Sequence, residues 1–386
     1  MRDEIVDYYD HICKEWNFIP TELSSTGYES VEKDLRLLSK ERWEKENDSG
    51  KAAIEQEVFN IYRSVNVLPI VYYSLEGCIR ELKQIAAKNS LVENGQIGIG
   101  KTAGQSFCRF WFPNMQEART HKDKEVSLKD RFYNDTKLKR AINLCYKHRD
   151  EGELSVLPLN LKRALDLVNG GSIQNFKPMN ARAIYEEICP HMFGRVLDFS
   201  SGYGGRMVGA LTSSMRYHYT GIEPNTKTYT GLYALGHLFT ELQLGNGFEM
   251  NHTVSEEFNA APNSFDAAFS SPPYFNLEIY SDEPTQCMNR YKNVDSWFES
   301  YVEPTLKMLY KVLNKDAIYA VNISDYTSNK VLYKIEERWV ELSKKLGFNY
   351  ERDIKMLLNA RPGTGNNKAN NQHKFEKIYV FRKTQT

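Results

Sequence analysis

The chain carries two different patterns of hydrophobic and polar positions. In residues 30–43 and 55–88, apolar side chains recur at helical spacing between charged ones. From about residue 172 the pattern changes, and short apolar runs alternate with longer amphipathic stretches. Such alternation is typical of a parallel sheet with helices on both faces. We therefore predict a mainly helical N-terminal domain over residues 1–170 and an α/β domain over residues 171–386.

The second pattern also predicts the order of elements in the α/β domain. Strands are predicted at residues 195–199, 217–222, 265–269, 317–323, 354–358 and 378–382, and helices at residues 204–214, 226–242, 294–313 and 330–346. A Gly/Asn-rich stretch without helical periodicity separates the last two strands, so we expect them to form an antiparallel hairpin. A sheet of this kind binds its ligand at the carboxyl ends of its strands.

The composition limits the class of protein. With 41% hydrophobic and 26% charged positions among 386 residues, the chain can bury a core and is not disordered overall. Lys plus Arg total 50 and Asp plus Glu total 50, so any surface that binds a polyanion must be local. The N-terminus lacks an apolar signal core, and no stretch approaches the ~20 apolar residues of a membrane span. We expect a soluble, cytoplasmic protein without a membrane partner.

The cysteines and histidines indicate neither a metal site nor a disulfide framework. The six cysteines are scattered without a C-x-x-C pair, and the eight histidines lack the H-E-x-x-H spacing. Buried free thiols are therefore expected.

A glycine-rich segment follows the first predicted strand of the α/β domain. Asp198 stands at the end of that strand, and Gly202 and Gly204 come shortly after it. Glycines permit positive φ and close approach of the backbone to a ligand, although a tight turn without a ligand has the same sequence. Glu223 ends the second strand, where an acid can bind the two hydroxyls of a ribose. The alternative for Glu223 is a helix-capping Glu-Pro turn.

The run Ser270-Ser271-Pro272-Pro273-Tyr274-Phe275 ends the third predicted strand. Two consecutive prolines cannot continue a β-ladder, so the chain must turn into a rigid corner here. Ser271 and the carbonyl of Pro272 are hydrogen-bond acceptors, and the Tyr274 ring offers a stacking face. Such a corner can hold a flat ring that bears an amine. Taken alone, the same string also occurs in disordered and proline-recognition segments.

Together these segments resemble the S-adenosylmethionine-dependent methyltransferases that modify exocyclic amino groups of DNA bases. The resemblance extends over about residues 172–384 and implies a Rossmann-like methyltransferase sheet. It assigns catalytic roles to Ser271, Pro272, Pro273 and Tyr274. It assigns S-adenosyl-L-methionine binding to Phe176, Pro178, Asp198, Ser200, Gly202, Gly204 and Glu223, with Phe176 and Pro178 in the segment that flanks the methionine moiety.

The resemblance also implies a mechanism. The lone pair of an aromatic base amine is delocalised into the ring, and hydrogen bonds to Ser271 and the Pro272 carbonyl would localise it on nitrogen. Methyl transfer is then direct, so neither Cys287 nor a metal is needed. The base must leave the duplex and stack on Tyr274. A serine at the position of Ser271 is associated with cytosine N4 more often than with adenine N6, so cytosine is favoured.

One departure from the family affects target recognition. Family members with a serine motif often carry it before the cofactor loop, whereas here Asp198 precedes Ser271 by a short interval. That interval leaves no space for a recognition domain. Target recognition is therefore expected in residues 1–170, which the resemblance does not cover. Two alternatives remain: an RNA base amino-methyltransferase, and a non-catalytic nucleic-acid-binding protein on a methyltransferase scaffold. The recognition sequence, the oligomeric state and a partner nuclease, as in restriction-modification systems, are not determined.

Three further segments carry weaker signals. Residues 95–102 fit the P-loop string G-x-x-x-x-G-K-T, but the segment before them has helical character, so a glycine-rich turn is favoured. Residues 361–374 are either a solvated loop or an arm that contacts DNA phosphates. A charged helix face or a phosphate-binding stripe is formed by Lys137, Lys139, Arg140, Lys147 and Arg149.

Overall fold

The structure is a computed structural model that describes residues 2–98, 102–120, 126–147, 155–168, 173–328, 330–358 and 375–384. These residues form two compact units, each built from separate stretches of the chain. The first unit comprises Met1–Tyr8, Ile79–Cys108 and Asn175–Thr386. The second comprises Tyr9–Cys78 and Arg109–Gln174.

One sheet organises the first unit. Within the described residues it has eight strands, which in chain order are β1 (Gln96–Ile97), β2 (Arg195–Asp198), β3 (His218–Ile222), β4 (Phe248–Asn251), β5 (Phe265–Ser270), β6 (Leu313–Asn322), β7 (Phe348–Leu357) and β8 (Phe375–Lys383). Their order across the sheet is β1-β7-β8-β6-β5-β2-β3-β4. Strand β8 is antiparallel to β6 and β7, whereas the other neighbouring pairs are parallel.

The predicted α/β class is confirmed, with a Rossmann-like, mostly parallel sheet and a terminal antiparallel hairpin. Chain order reverses between the adjacent strands β2 and β5, because β3 and β4 lie on one side of them and β6 lies on the other. In open α/β sheets, ligands bind at such a reversal, outside the carboxyl ends of the strands. The segments that end in Asp198 and Ser270 meet at this point.

Helices cover the sheet and build the second unit. Before residue 170 they span Asp3–Trp16, Glu32–Leu37, Lys40–Glu44, Asp48–Val65, Leu75–Ala86, Gln105–Trp111, Leu128–Tyr133, Asp135–Lys147 and Pro158–Leu167. Later in the chain they span Pro178–Ile188, Gly205–Leu211, Thr226–Glu241, Cys287–Arg290, Val294–Trp297, Glu303–Val312 and Glu336–Lys345. A π-helical turn, Phe298–Val302, joins two of these helices. No helix in the described stretches has the length and apolar character needed to cross a membrane.

The structure differs from the sequence predictions at a helix and at an edge strand. The helix predicted over residues 330–346 begins only at Glu336, because Asp325 accepts hydrogen bonds from the main-chain nitrogens of Ile335 and Glu336 and caps it. The residues before it form a small hairpin of Tyr326–Ser328 and Val331–Tyr333. The edge strand β4 was not predicted, since only four residues with a weak apolar pattern form it.

The division into units also departs from a single boundary at residue 170. Residues 79–108 belong to the first unit, where Gln96 and Ile97 of β1 pair in parallel with Lys355 and Met356 of β7. Gln96 and Ile97 of the P-loop-like string therefore form a two-residue edge strand, and residues 99–101 of the string lie outside the described residues.

Of the other segments named from the sequence, some lie within the described residues and others lie outside them. Helix Asp135–Lys147 carries Lys137, Lys139, Arg140 and Lys147, and the Lys139 ammonium lies 4.5 Å from the centre of the Phe59 ring. Arg149 and residues 361–374 lie outside the described residues. All six cysteines are buried with free thiols, as expected from their spacing.

Candidate active site

Strand β2 leads into a turn, residues 199–204, that we call the glycine turn. Gly202 and Gly204 have φ angles of 56° and 71°, in the left-handed region that favours glycine. The Gly204 nitrogen donates to the Gly202 oxygen at 2.9 Å, and the next helix starts at Gly205. The backbone therefore turns sharply without a side chain at either position, which leaves space for a ligand beside it.

Asp198, just before this turn, is the centre of a buried hydrogen-bond network. Its carboxylate has no exposed surface and accepts from Arg206 Nε at 2.9 Å. The hydroxyls of Tyr219 and Ser270 each donate to it at 2.8 Å. A buried carboxylate is stable when it is paired and hydrogen-bonded in this way. Because Ser270 ends β5, the network ties together the two strand ends at the reversal of the sheet.

Arg206 is a site residue that the sequence reasoning did not identify. Besides its bond to Asp198, its guanidinium donates to the main-chain oxygen of Ser200 and lies 5.8 Å from the centre of the Phe176 ring. A signal existed in the sequence, because Arg206 is the one charged residue in the otherwise apolar helix Gly205–Leu211. A buried arginine needs a buried acceptor, and the nearby Asp198 provides it.

Phe176 lies directly beside the glycine turn. Pro178 opens the helix Pro178–Ile188, and the half-buried Phe176 ring packs edge-on against Phe269, with ring centres 5.3 Å apart. Asn175 Nδ2 donates to the Tyr203 oxygen at 2.7 Å. The structure therefore brings the predicted flanking segment next to the predicted cofactor loop.

Gly205 explains how closely these two segments approach. A Cβ atom placed on Gly205 would lie 2.0 Å from the main-chain oxygen of Phe176. We expect Gly205→Ala to lower the free energy of unfolding by about 1–3 kcal/mol, because the segment must move away. Urea denaturation measures this change, and hydrogen exchange at residues 173–178 locates it.

Gly98→Ala is the matched control for this substitution, because a Cβ atom at Gly98 meets no atom within 4 Å. Equal stability of the Gly205→Ala variant and the wild type would contradict the close approach.

Glu223 directly follows β3 and closes the other side of the glycine turn. Its two carboxylate oxygens accept from the Gly202 nitrogen at 2.8 Å and from the Asn225 nitrogen at 2.9 Å. Burial raises the pKa of Glu223 from its ordinary value of 4.5 to about 7. The predicted ribose acid and the predicted cofactor loop are thus hydrogen-bonded to each other.

Ser200 has a partner that the sequence did not reveal. Its hydroxyl oxygen lies 3.0 Å from the hydroxyl oxygen of Tyr301, and it donates to the Phe199 oxygen at 2.6 Å. Tyr301 lies in the π-helical turn and stacks on Trp297, with ring centres 5.7 Å apart. Isolated π-helical turns often occur at functional sites. Nothing in the sequence distinguishes Tyr301 from the other aromatic residues of a helix that faces the core.

Residues 271–274, which we call the proline corner, follow Ser270 at the end of β5. Pro272 is buried, and Ser271, Pro273 and Tyr274 are half-buried. The Tyr274 hydroxyl donates to the main-chain oxygen of Asn322 at 3.0 Å. Since Ser270 is hydrogen-bonded to Asp198, the proline corner and the glycine turn share one edge of the sheet. Apart from Phe176 and Pro178, the predicted site residues therefore lie at the carboxyl ends of the neighbouring strands β5, β2 and β3.

No family model and no curated protein matches this chain. Among solved structures, a TehB-like SAM-dependent methyltransferase from Corynebacterium glutamicum is similar at 14% identity and a TM-score of 0.35, over 55% of this chain and 90% of that chain. The tRNA (m1A58) methyltransferase TrmI from Aquifex aeolicus is similar at 15% identity and 0.35, over 55% and 72%. The 4+2 cyclase SpnF is similar at 13% identity and 0.38, over 65% and 93%. The likeness is partial and concerns the fold.

Proposed function

We propose that this protein transfers a methyl group from S-adenosyl-L-methionine to an exocyclic amine of a DNA base, with cytosine N4 favoured over adenine N6. The observation that carries the proposal is the hydrogen bond of 2.8 Å from Ser270 to Asp198. It joins the end of β5, which leads into the proline corner that suits a base amine, to the end of β2, which leads into the glycine turn that suits the cofactor.

The residues around the glycine turn fit the cofactor. Glu223 is a buried acid at the tip of β3, where its carboxylate can accept hydrogen bonds from the two hydroxyls of a ribose. Gly202 and Gly204 let the ligand approach the backbone, and Phe176 supplies an apolar face beside it. We assign Asp198, whose carboxylate is fully engaged by protein donors, to holding the turn in shape. When bound, S-adenosylmethionine supplies an electrophilic methyl group on a sulfonium.

The proline corner supplies the groups that activate an amine. Ser271 and the Pro272 carbonyl accept hydrogen bonds from the two N–H groups of the base, which localises the nitrogen lone pair and turns it toward the methyl donor. Fixed acceptors and fixed orientation stabilise the transition state without any reorganisation of solvent. Cys287 is not used, since burial raises the pKa of its thiol and the transfer needs no covalent intermediate.

The target base reaches the corner only after it has left the DNA duplex. The half-buried Tyr274 ring is held in place through its hydroxyl, and it offers a flat face to an unstacked base. The proposal assigns recognition of the flanking sequence to the second unit, Tyr9–Cys78 and Arg109–Gln174.

Incubating the full chain with labelled S-adenosylmethionine and mixed-sequence duplex DNA tests this function. We expect N4-methylcytosine after nuclease digestion and mass spectrometry, at one recurring sequence context. Parallel reactions with RNA and with single-stranded DNA distinguish the other substrates.

Three outcomes would favour an alternative to the proposed function. Label found only in RNA would show an RNA base methyltransferase, and N6-methyladenine would reverse the choice of base. If calorimetry detects no binding of S-adenosylmethionine, the chain is not an enzyme of this class and the scaffold alternative holds.

A further inference from the structure

Asn322 lies beside the proline corner and was not identified from the sequence. It ends β6, the neighbour of β5 in the sheet, and is 4% exposed. Its side-chain nitrogen donates to the main-chain oxygen of Lys377 at 3.0 Å. A main-chain carbonyl can only accept, so this contact fixes which side of the amide carries nitrogen. The amide oxygen therefore faces the Ser271 hydroxyl, at 3.4 Å from its oxygen.

The Tyr274 hydroxyl does not share this role. It donates its single proton to the main-chain oxygen of Asn322 at 3.0 Å, and burial raises its pKa, which keeps the phenol protonated. Among the described residues, Asn322 Oδ1 is the acceptor within hydrogen-bonding distance of the Ser271 hydroxyl.

We infer that Asn322 is a positioning residue that takes the proton of Ser271 and leaves the lone pairs of Ser271 free for the base amine. The inference rests on the proposed function, because it concerns the same proline corner. A serine hydroxyl has one proton and two lone pairs, so its role depends on where the proton points. With the proton held by Asn322, Ser271 accepts from the amine. If the Ser271 proton pointed toward the base instead, the hydroxyl would present a donor to the N–H donor of the amine.

The separation of 3.4 Å between the Ser271 and Asn322 oxygens is long for a hydroxyl bond. Catalytic hydrogen bonds are often long before substrate binds and shorten in the complex. The contact with Lys377 keeps the amide oriented throughout, because it does not involve the base.

Asn322→Ala tests this role against a matched control, Asn314→Ala. Asn314 lies at the other end of β6 and donates to Asp266 at 2.7 Å. We expect Asn322→Ala to lower kcat roughly 100-fold, with unchanged affinity for S-adenosylmethionine, because Ser271 is no longer oriented. Asn314→Ala should keep wild-type kcat. A drop of the same size in both variants would overturn the inference.

Asn322→Asp separates orientation of Ser271 from simple support of the strand. A carboxylate keeps an acceptor toward Ser271 but cannot donate to the Lys377 oxygen. We therefore expect its kcat to lie well above that of Asn322→Ala, although its melting temperature falls. If both variants lose the same activity, the contact with Lys377 is what matters and the inference fails.

A double-mutant cycle distinguishes failure of this inference from failure of the proposed function. In a Ser271→Ala background, Asn322→Ala should have little further effect on kcat, because the group that it orients is gone. Additive losses would overturn the inference and leave the methyltransferase intact. If Ser271→Ala itself retains wild-type kcat, the assignment of Ser271 fails, and with it the role of Asn322.

Discussion

Ser271→Ala is expected to lower the rate of methyl transfer about 100- to 1000-fold, because it removes an acceptor aimed at the reacting amine. Affinity for S-adenosylmethionine should not change, since Ser271 is hydrogen-bonded to Asn322 and lies outside the glycine turn. Single-turnover assays with a fixed DNA substrate measure the rate, and calorimetry measures cofactor binding.

Ser264→Ala is the matched control for this substitution. Ser264 directly precedes β5, at the end opposite to the proline corner, and its hydroxyl donates to the Ala261 oxygen at 2.7 Å. It should retain the wild-type rate, because no group of the candidate site contacts it. A Ser271→Ala protein that turns over at the wild-type rate would show that the base amine is activated elsewhere.

The local signals in the sequence were sufficient to find the ends of the important strands. The segments that end in Asp198, Glu223 and Ser270 each combine an apolar run with a residue that stops it, so β2, β3 and β5 were predicted nearly in place. The terminal hairpin of β7 and β8 was predicted because the Gly/Asn-rich stretch between its strands lacks helical periodicity.

Contacts between residues far apart in the chain were not predictable in this way. Tyr301 and Asn322 each contact a predicted site residue that is distant in the chain, Ser200 and Ser271 respectively. Their identities fit an ordinary helix or strand, and only the pairing of elements gives them a role. The inclusion of residues 79–108 in the first unit was not predictable either. The edge strand that pairs them with this unit has only two residues, which leave almost no pattern in the sequence.

Cofactor binding is expected to release a proton below about pH 7, because burial raises the pKa of Glu223 to about 7 in the free protein. Two ribose hydroxyls that donate to this carboxylate favour its ionised form, so a bound ribose lowers the pKa. Below about pH 7 the free protein carries a proton on Glu223 that must leave on binding. Affinity should therefore rise about tenfold per pH unit toward pH 7 and level off above it.

The stability of the free protein should change with pH in the opposite direction. The pKa of Glu223 is higher in the folded protein than its ordinary value of 4.5, so the folded state holds this proton more tightly than the unfolded chain does. The contribution of Glu223 to stability is then complete below about pH 4.5 and is lost as the pH rises through about 7. Ionisation of Glu223 therefore favours ligand binding but lowers the stability of the free protein, as is expected of a titratable group at a binding site.

Calorimetry with S-adenosylmethionine in buffers of different ionisation enthalpy measures the released proton directly. Glu223→Gln cannot ionise, so it should bind weakly at every pH and release no proton. Glu249→Gln is the matched control, because Glu249 is an exposed carboxylate on the adjacent strand β4 and should keep the wild-type pH dependence. Proton release that persists in Glu223→Gln would assign the linkage to another group and remove the evidence that Glu223 binds the ribose.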